Sequence, residues 1–194
     1  MALSALLRPM VRVVAESACP RPSCRRMPRV GIVIAMLCLP PTPATGDPPL
    51  RVRSTDAAMI TLLREGERRS KTFGDLLEAI GRSNGIVYVE FGVCAFGHLD
   101  GCLLPFIEST HGDRYLRVIV TGDKTRRGHD RLLALIAHEL QHAIEVLEHP
   151  EVVDQASMDS MYRRLGIPLT GRQGYETSGA HRVEDAVLRE LSRS

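Results

Sequence analysis

The sequence predicts an α+β domain: a short antiparallel sheet packed on one buried helix, with two further helices toward the C-terminus. Three observations predict it. Strand-like runs rich in β-branched and aromatic residues are confined to residues 85–120. Helix-patterned segments lie before and after them rather than between them. Residues 132–148 contain no Pro or Gly and are apolar nearly all round, the pattern of a helix buried on every side.

The elements follow in chain order. Ser54, Thr55 and Asp56 offer caps to a helix over residues 57–69, whose apolar side is Met59, Ile60, Leu62 and Leu63. Thr72 caps a second helix, residues 73–80, which Gly81 ends. Residues 85–91 read as a strand. The run 102–108 is interrupted by Pro105 and suits an edge or a bulge. Residues 115–120 alternate, and His111-Gly112-Asp113 forms a turn that makes these two runs a hairpin. Pro150 stops the buried helix, and a last helix is expected over residues 175–191.

Composition and the N-terminus narrow the function classes. A net charge of +2 and a pI of about 8.4 are too mild to imply a nucleic-acid partner. The basic clusters Arg25-Arg26 and 124–127 are short and read as solvated loops. Residues 1–46 read as a leader outside the fold. Met27-Pro28-Arg29 starts a basic stretch, and residues 30–39 form an apolar run too short to span a bilayer but suited to a secretory signal. Small and turn residues follow, with Thr42-Pro43-Ala44 as a cleavage site. Either translation starts at Met27 or the basic region is long; an uncleaved N-terminal anchor is the alternative. Residues 47–194 are then one exported domain, periplasmic or extracellular, with no stable membrane span. Losing the leader removes Cys19, Cys24 and Cys38 and leaves Cys94 and Cys102, an even pair expected to form a disulfide in an oxidising compartment.

The chemistry centres on His138-Glu139-Leu140-Gln141-His142. Residues i and i+4 of a helix stand on one face, so both imidazoles can reach a single tetrahedral Zn²⁺. Glu139 lies close enough to accept a proton from a zinc-bound water without binding the metal. With 7 His in the chain, a chance match is expected in roughly two per cent of such compositions. Two His and a Glu buried in an apolar helix also need partners, and a metal supplies them.

This stretch resembles the active helix of the zincin metallopeptidases. Ala137, Leu140, Gln141, Ala143 and Ile144 fit the uncharged and apolar positions of that pattern. The resemblance covers about twenty residues firmly and the general layout loosely, and it implies zinc binding more specifically than proteolysis. It also implies a sheet laid against the metal helix. The third-His signature of one branch is missing, because Glu148 stands where that His belongs. The thermolysin-like branch instead takes a Glu from a later helix, which points to Glu176.

On a helix over 175–191, Glu176 would share a face with Ala180, Val183, Val187 and Leu191 and so point inward. Glu184 and His181 stand in reserve as third ligand. Glu145, seven residues after His138, reads as a carboxylate that orients a ligand rather than binding. Replacing Glu176, but not Glu184, is then expected to cost zinc affinity. Tyr175, Tyr162 and His149 are candidates to steady an oxyanion, with packing the plainer reading, and His98 reads as exposed. The expectation is an exported zinc hydrolase acting on a peptide or protein substrate, with Glu139 as general base. The alternative is a non-catalytic zinc-stabilised binding domain.

Overall fold

The computed structural model describes residues 50–94, 99–122, 128–168 and 174–193. The expected leader, His98 and the 124–127 cluster lie outside the described residues. The fold is α+β.

It opens with β1 (Val52–Arg53) and two helices. In α1 (Ala57–Arg69), Asp56 accepts from the Ala58 and Met59 amides, and Met59, Leu62 and Leu63 are buried. Helix α2 (Lys71–Arg82) is capped by Ser70 rather than Thr72 and runs two residues past Ile80. The Thr72 hydroxyl and amide instead donate to the Glu190 carboxylate at 2.7 and 3.0 Å, and the Ser70 hydroxyl joins them at 2.6 Å. This cluster ties the start of α2 to the last helix of the chain.

The sheet is mixed, which corrects the antiparallel meander expected from the sequence. Strand β2 (Gly85–Phe91) runs parallel to β5 (Asp113–Val120) over its whole length, and β1 runs parallel to β2. The 102–108 run is split about Pro105 into β3 (Gly101–Leu103) and β4 (Glu108–Thr110), both antiparallel to β5. Strand β5 is therefore interior, lying between β2 and the broken β3–β4 edge. Burial accounts for this order. Leu116, Val118 and Val120 are almost fully buried and call for neighbours on both sides, whereas β4 is exposed throughout and suits an edge. His111 and Gly112 turn the β4–β5 hairpin with φ of 51° and 88°, the left-handed pair that tight hairpins need.

Helix α3 (His129–Leu147) carries the His-Glu-x-x-His stretch and is buried from Leu132 to Leu140 without a break. Packing explains that burial: α3 lies against the sheet on one side and against α2 and the last helix on others. Beyond it come α4 (Gln155–Leu165), the two-residue pair β6 (Ile167–Pro168) and β7 (Tyr175–Glu176), and α5 (Ser178–Leu191). The stripe Ala180, Val187 and Leu191 of α5 is buried, with Val183 packed beside it.

Arg114, at the head of β5, closes the end of α3. Its guanidinium is buried and donates to the carbonyls of Val146, His149 and Val152 at 3.2, 3.0 and 3.4 Å, and to that of Leu147. These carbonyls lie at or beyond the helix C-terminus and lack full helical partners, and the dipole there favours a cation. Arg114→Met is expected to leave several of them unsatisfied and to cost about 2–4 kcal/mol. A urea midpoint equal to wild type at equal slope would refute that account.

Cys94 and Cys102 form a disulfide with Cα atoms 6.1 Å apart. It fastens β3 to the segment that leaves β2. Among the described residues no helix is long and apolar enough to cross a membrane.

Candidate metal centre

Helical geometry places His138 and His142 one turn apart on α3, with ring centroids 4.9 Å apart. Their side chains are 6% and 8% exposed, so both are held inside the protein. Glu176 meets them from β7. Its Oε2 lies 3.0 Å from His138 Nε2 and 3.6 Å from His142 Nε2. Glu176 Oε2 is buried and has no hydrogen-bond partner of good geometry among the described residues.

Glu176 reaches this point by a different route from the one the sequence suggested. It precedes the last helix instead of heading its apolar stripe. Thr177 is extended, with φ −124° and ψ 149°, and its hydroxyl caps the Ala180 amide, so α5 begins at Ser178. The pairing of Tyr175–Glu176 with Ile167–Pro168 then fixes the approach of the carboxylate.

Each buried imidazole has a second carboxylate behind it. His138 Nδ1 faces Glu184 Oε2 at 3.1 Å, and His142 Nδ1 faces Glu145 Oε2 at 3.0 Å. Glu145 is itself oriented by the Thr177 hydroxyl at 2.6 Å. A proton held on Nδ1 by a carboxylate leaves the Nε2 lone pair directed inward. Two Nε2 atoms and a carboxylate oxygen then converge as acceptors, and only protons or a metal cation can stand between them. Glu184, held in reserve as a ligand, thus stands behind His138, which revises the expectation for its removal. Glu184→Ala is expected to weaken zinc binding about 10–100-fold, measurable by competition with a chromophoric chelator.

In the metal-free chain these groups share protons. Burial works against the His142 cation, but Glu145 and then Glu176 outweigh it, and its pKa is pushed up to about 10. His138 is raised against burial by Glu176 and Glu139. Burial would raise Glu176, but His138 and His142 hold it far below the usual carboxylate range.

Glu139 is buried, and its Oε2 also lacks a hydrogen-bond partner among the described residues. Burial pushes its pKa up to about 7, with His142 and His138 opposing. The carboxylate lies against β3 at Gly101, where a Cβ would come within 2.5 Å of Glu139 Oε1. Gly101 was not singled out from the sequence, and neither was Thr177. A capping preference for Thr directly before a helix is the one signal that pointed to the latter.

His181, on the first turns of α5, faces the same Glu176 oxygen at 3.8 Å and packs edge-on against His138 with centroids 5.4 Å apart. One ligand atom from each of His138, Glu176 and His181 lies within 4.8 Å of the others. Tyr162 donates to the His142 carbonyl at 3.2 Å and stacks on Tyr175 at 6.2 Å, so both rings brace the helix. His149 faces Glu151 at 3.0 Å in the turn after α3.

Glu176 lies at a spacing from His138 and His142 that a zinc ion could accept, while the described residues whose ligand atoms all come within 4.8 Å of one another are His138, Glu176 and His181, without His142. Donor atoms bound tetrahedrally at about 2.0–2.2 Å stand roughly 3.3–3.5 Å apart, close to the spacing between Glu176 and each imidazole. Mixed imidazole and carboxylate donors suit that ion. No protein-family model, curated protein or solved structure matches the chain.

Proposed function

We propose that this domain is an exported zinc-dependent hydrolase of zincin type, acting on peptide bonds. The observation that carries the reading is the convergence of His138, His142 and Glu176, from two separate elements, beside a buried carboxylate that binds none of them. Zinc held by those three residues would acidify a bound water and polarise a substrate carbonyl. Glu139, raised toward neutrality by burial, accepts the proton of the attacking water and returns it to the leaving amine. Glu145 and Glu184 keep the two rings in the tautomer that binds. Among the described residues β3 pairs only with β5, so its other side offers main-chain groups to an extended peptide, whereas β5 is paired on both sides. Export is part of the same reading, supported by the Cys94–Cys102 bond.

The second reading is a zinc-stabilised binding domain without activity, favoured by His181 standing at the same oxygen. Metal analysis of the purified protein, with a broad peptide-cleavage screen, separates the two. One zinc per chain and cleavage lost to chelator and restored by zinc support the hydrolase. Stoichiometric zinc with no cleavage across the screen supports the second reading.

Gly101→Ala tests the placement of the base. The added methyl collides with Glu139, so kcat is expected to fall about 100-fold, the cost of displacing a reacting group by about an ångström. Zinc content should stay at wild type. An unchanged kcat would show that Glu139 has room to spare.

A further inference from the structure

We propose that His181 is a displaceable fourth ligand, which occupies the open metal position in the resting protein and yields it to an incoming anionic or carbonyl oxygen. The proposal rests on the zinc reading above and adds a residue to it.

Three imidazoles surround the Glu176 Oε2 atom, with Nε2 separations of 3.0 Å for His138, 3.6 Å for His142 and 3.8 Å for His181. His138, Glu176 and His181 each offer a ligand atom within 4.8 Å of the other two, so His181 stands as close to the candidate metal position as His138 does, with His142 adding a further imidazole 3.6 Å from the same oxygen. The rings differ in how they are held. His138 and His142 are buried, and each has a carboxylate on its Nδ1. His181 is 58% exposed at the side chain and has no carboxylate behind its Nδ1 among the described residues. Its ring can therefore rotate toward solvent at little cost, while the other two cannot. Thr177 sets its place in the chain: by capping α5 at Ala180, it fixes the helix start and so carries residue 181 over the metal-facing end. A solvent-facing ligand next to the only carboxylate ligand is where substrate oxygen would enter. Binding of that oxygen and binding of His181 are then mutually exclusive.

The test uses the full chain as wild type and as His181→Ala, loaded with Co²⁺ as a spectroscopic substitute for zinc. Acetohydroxamate, a small anionic chelating oxygen ligand, is titrated into each while the visible absorption is followed, and zinc affinity is measured by chelator competition. The variant is expected to bind zinc about tenfold more weakly, having lost a ligand. It should also take up acetohydroxamate at about tenfold lower concentration, because no side chain must leave first. His181→Asn, which keeps a polar side chain but no imidazole, should behave like the Ala variant. Equal zinc affinity and equal titration midpoints in all three proteins would overturn the proposal while leaving the His138, His142 and Glu176 site intact. Wild type that takes up neither metal would overturn both.

Discussion

Glu139→Gln is expected to keep its zinc and lose about 10²–10⁴-fold in kcat, the usual contribution of a positioned general base. The amide matches the carboxylate in shape and cannot accept a proton. The environment makes this change specific. Glu139 is 4% exposed, and its Oε2 has no hydrogen-bond partner among the described residues, so replacing it breaks no bond seen there for that oxygen. It also removes a buried charge, and stability should not fall. The wild-type pH profile carries the same signature. Burial raises Glu139 to about 7 in the metal-free chain, and a cation bound beside it favours the ionised form. The acid limb of kcat/KM should therefore fall at or below about pH 7 and vanish with the Gln variant's residual activity. A variant that cleaves peptides at the wild-type rate would remove Glu139 from the mechanism.

His142→Ala is expected to abolish stoichiometric zinc binding and the stability that zinc confers. Zinc at a hundred times its dissociation constant adds about 2.7 kcal/mol, which for a domain of this size raises Tm by about 5–11 °C. That increment should be present in wild type and absent in the variant. Its pH dependence has a definite sign. The folded, metal-free His142 has a pKa raised from 6.5 to about 10 by Glu145 and Glu176 against burial. Its proton stabilises the metal-free fold fully below about pH 6.5, and that contribution is lost as pH rises through about 10. Zinc must displace the proton, so zinc affinity and the zinc-dependent Tm shift should both grow from pH 6.5 toward pH 9. Differential scanning of loaded and chelated protein across that range measures it. A Tm shift equal in wild type and variant would mean that zinc binds elsewhere.

The His138–His142 pair and Glu139 were legible in the sequence because helix periodicity alone puts residues i and i+4 on one face. The first helix was legible to the residue, since Asp56 is a local cap acting on amides two and three positions away. The start of α2 was not. Ser70 and Thr72 are both competent caps; Glu190, 118 residues from Thr72, accepts from both hydroxyls and from the Thr72 amide, and the Ser70 oxygen is the one that takes the Phe73 amide. Strand pairing failed for the same reason. The runs 85–91 and 115–120 were visible from their own residues, whereas β1, β6 and β7 were not, and nothing local says whether β2 pairs with its neighbour in sequence or with β5.

The sequence by itself determined the class of fold, the buried helix that carries the His-Glu-x-x-His stretch and the cysteine pair, and it named the residues of the candidate centre, all from short-range periodicity, local caps and composition. The tertiary structure decided how those residues meet. It placed Glu176 on a two-residue strand ahead of α5, and set Glu184 and Glu145 behind the imidazoles. It brought Gly101 against Glu139 and His181 toward the buried Glu176 oxygen. The physical reason is that a helix fixes which side chains share its own face, while ligand angle, second-layer hydrogen bonds and steric room depend on the packing of elements far apart in the chain.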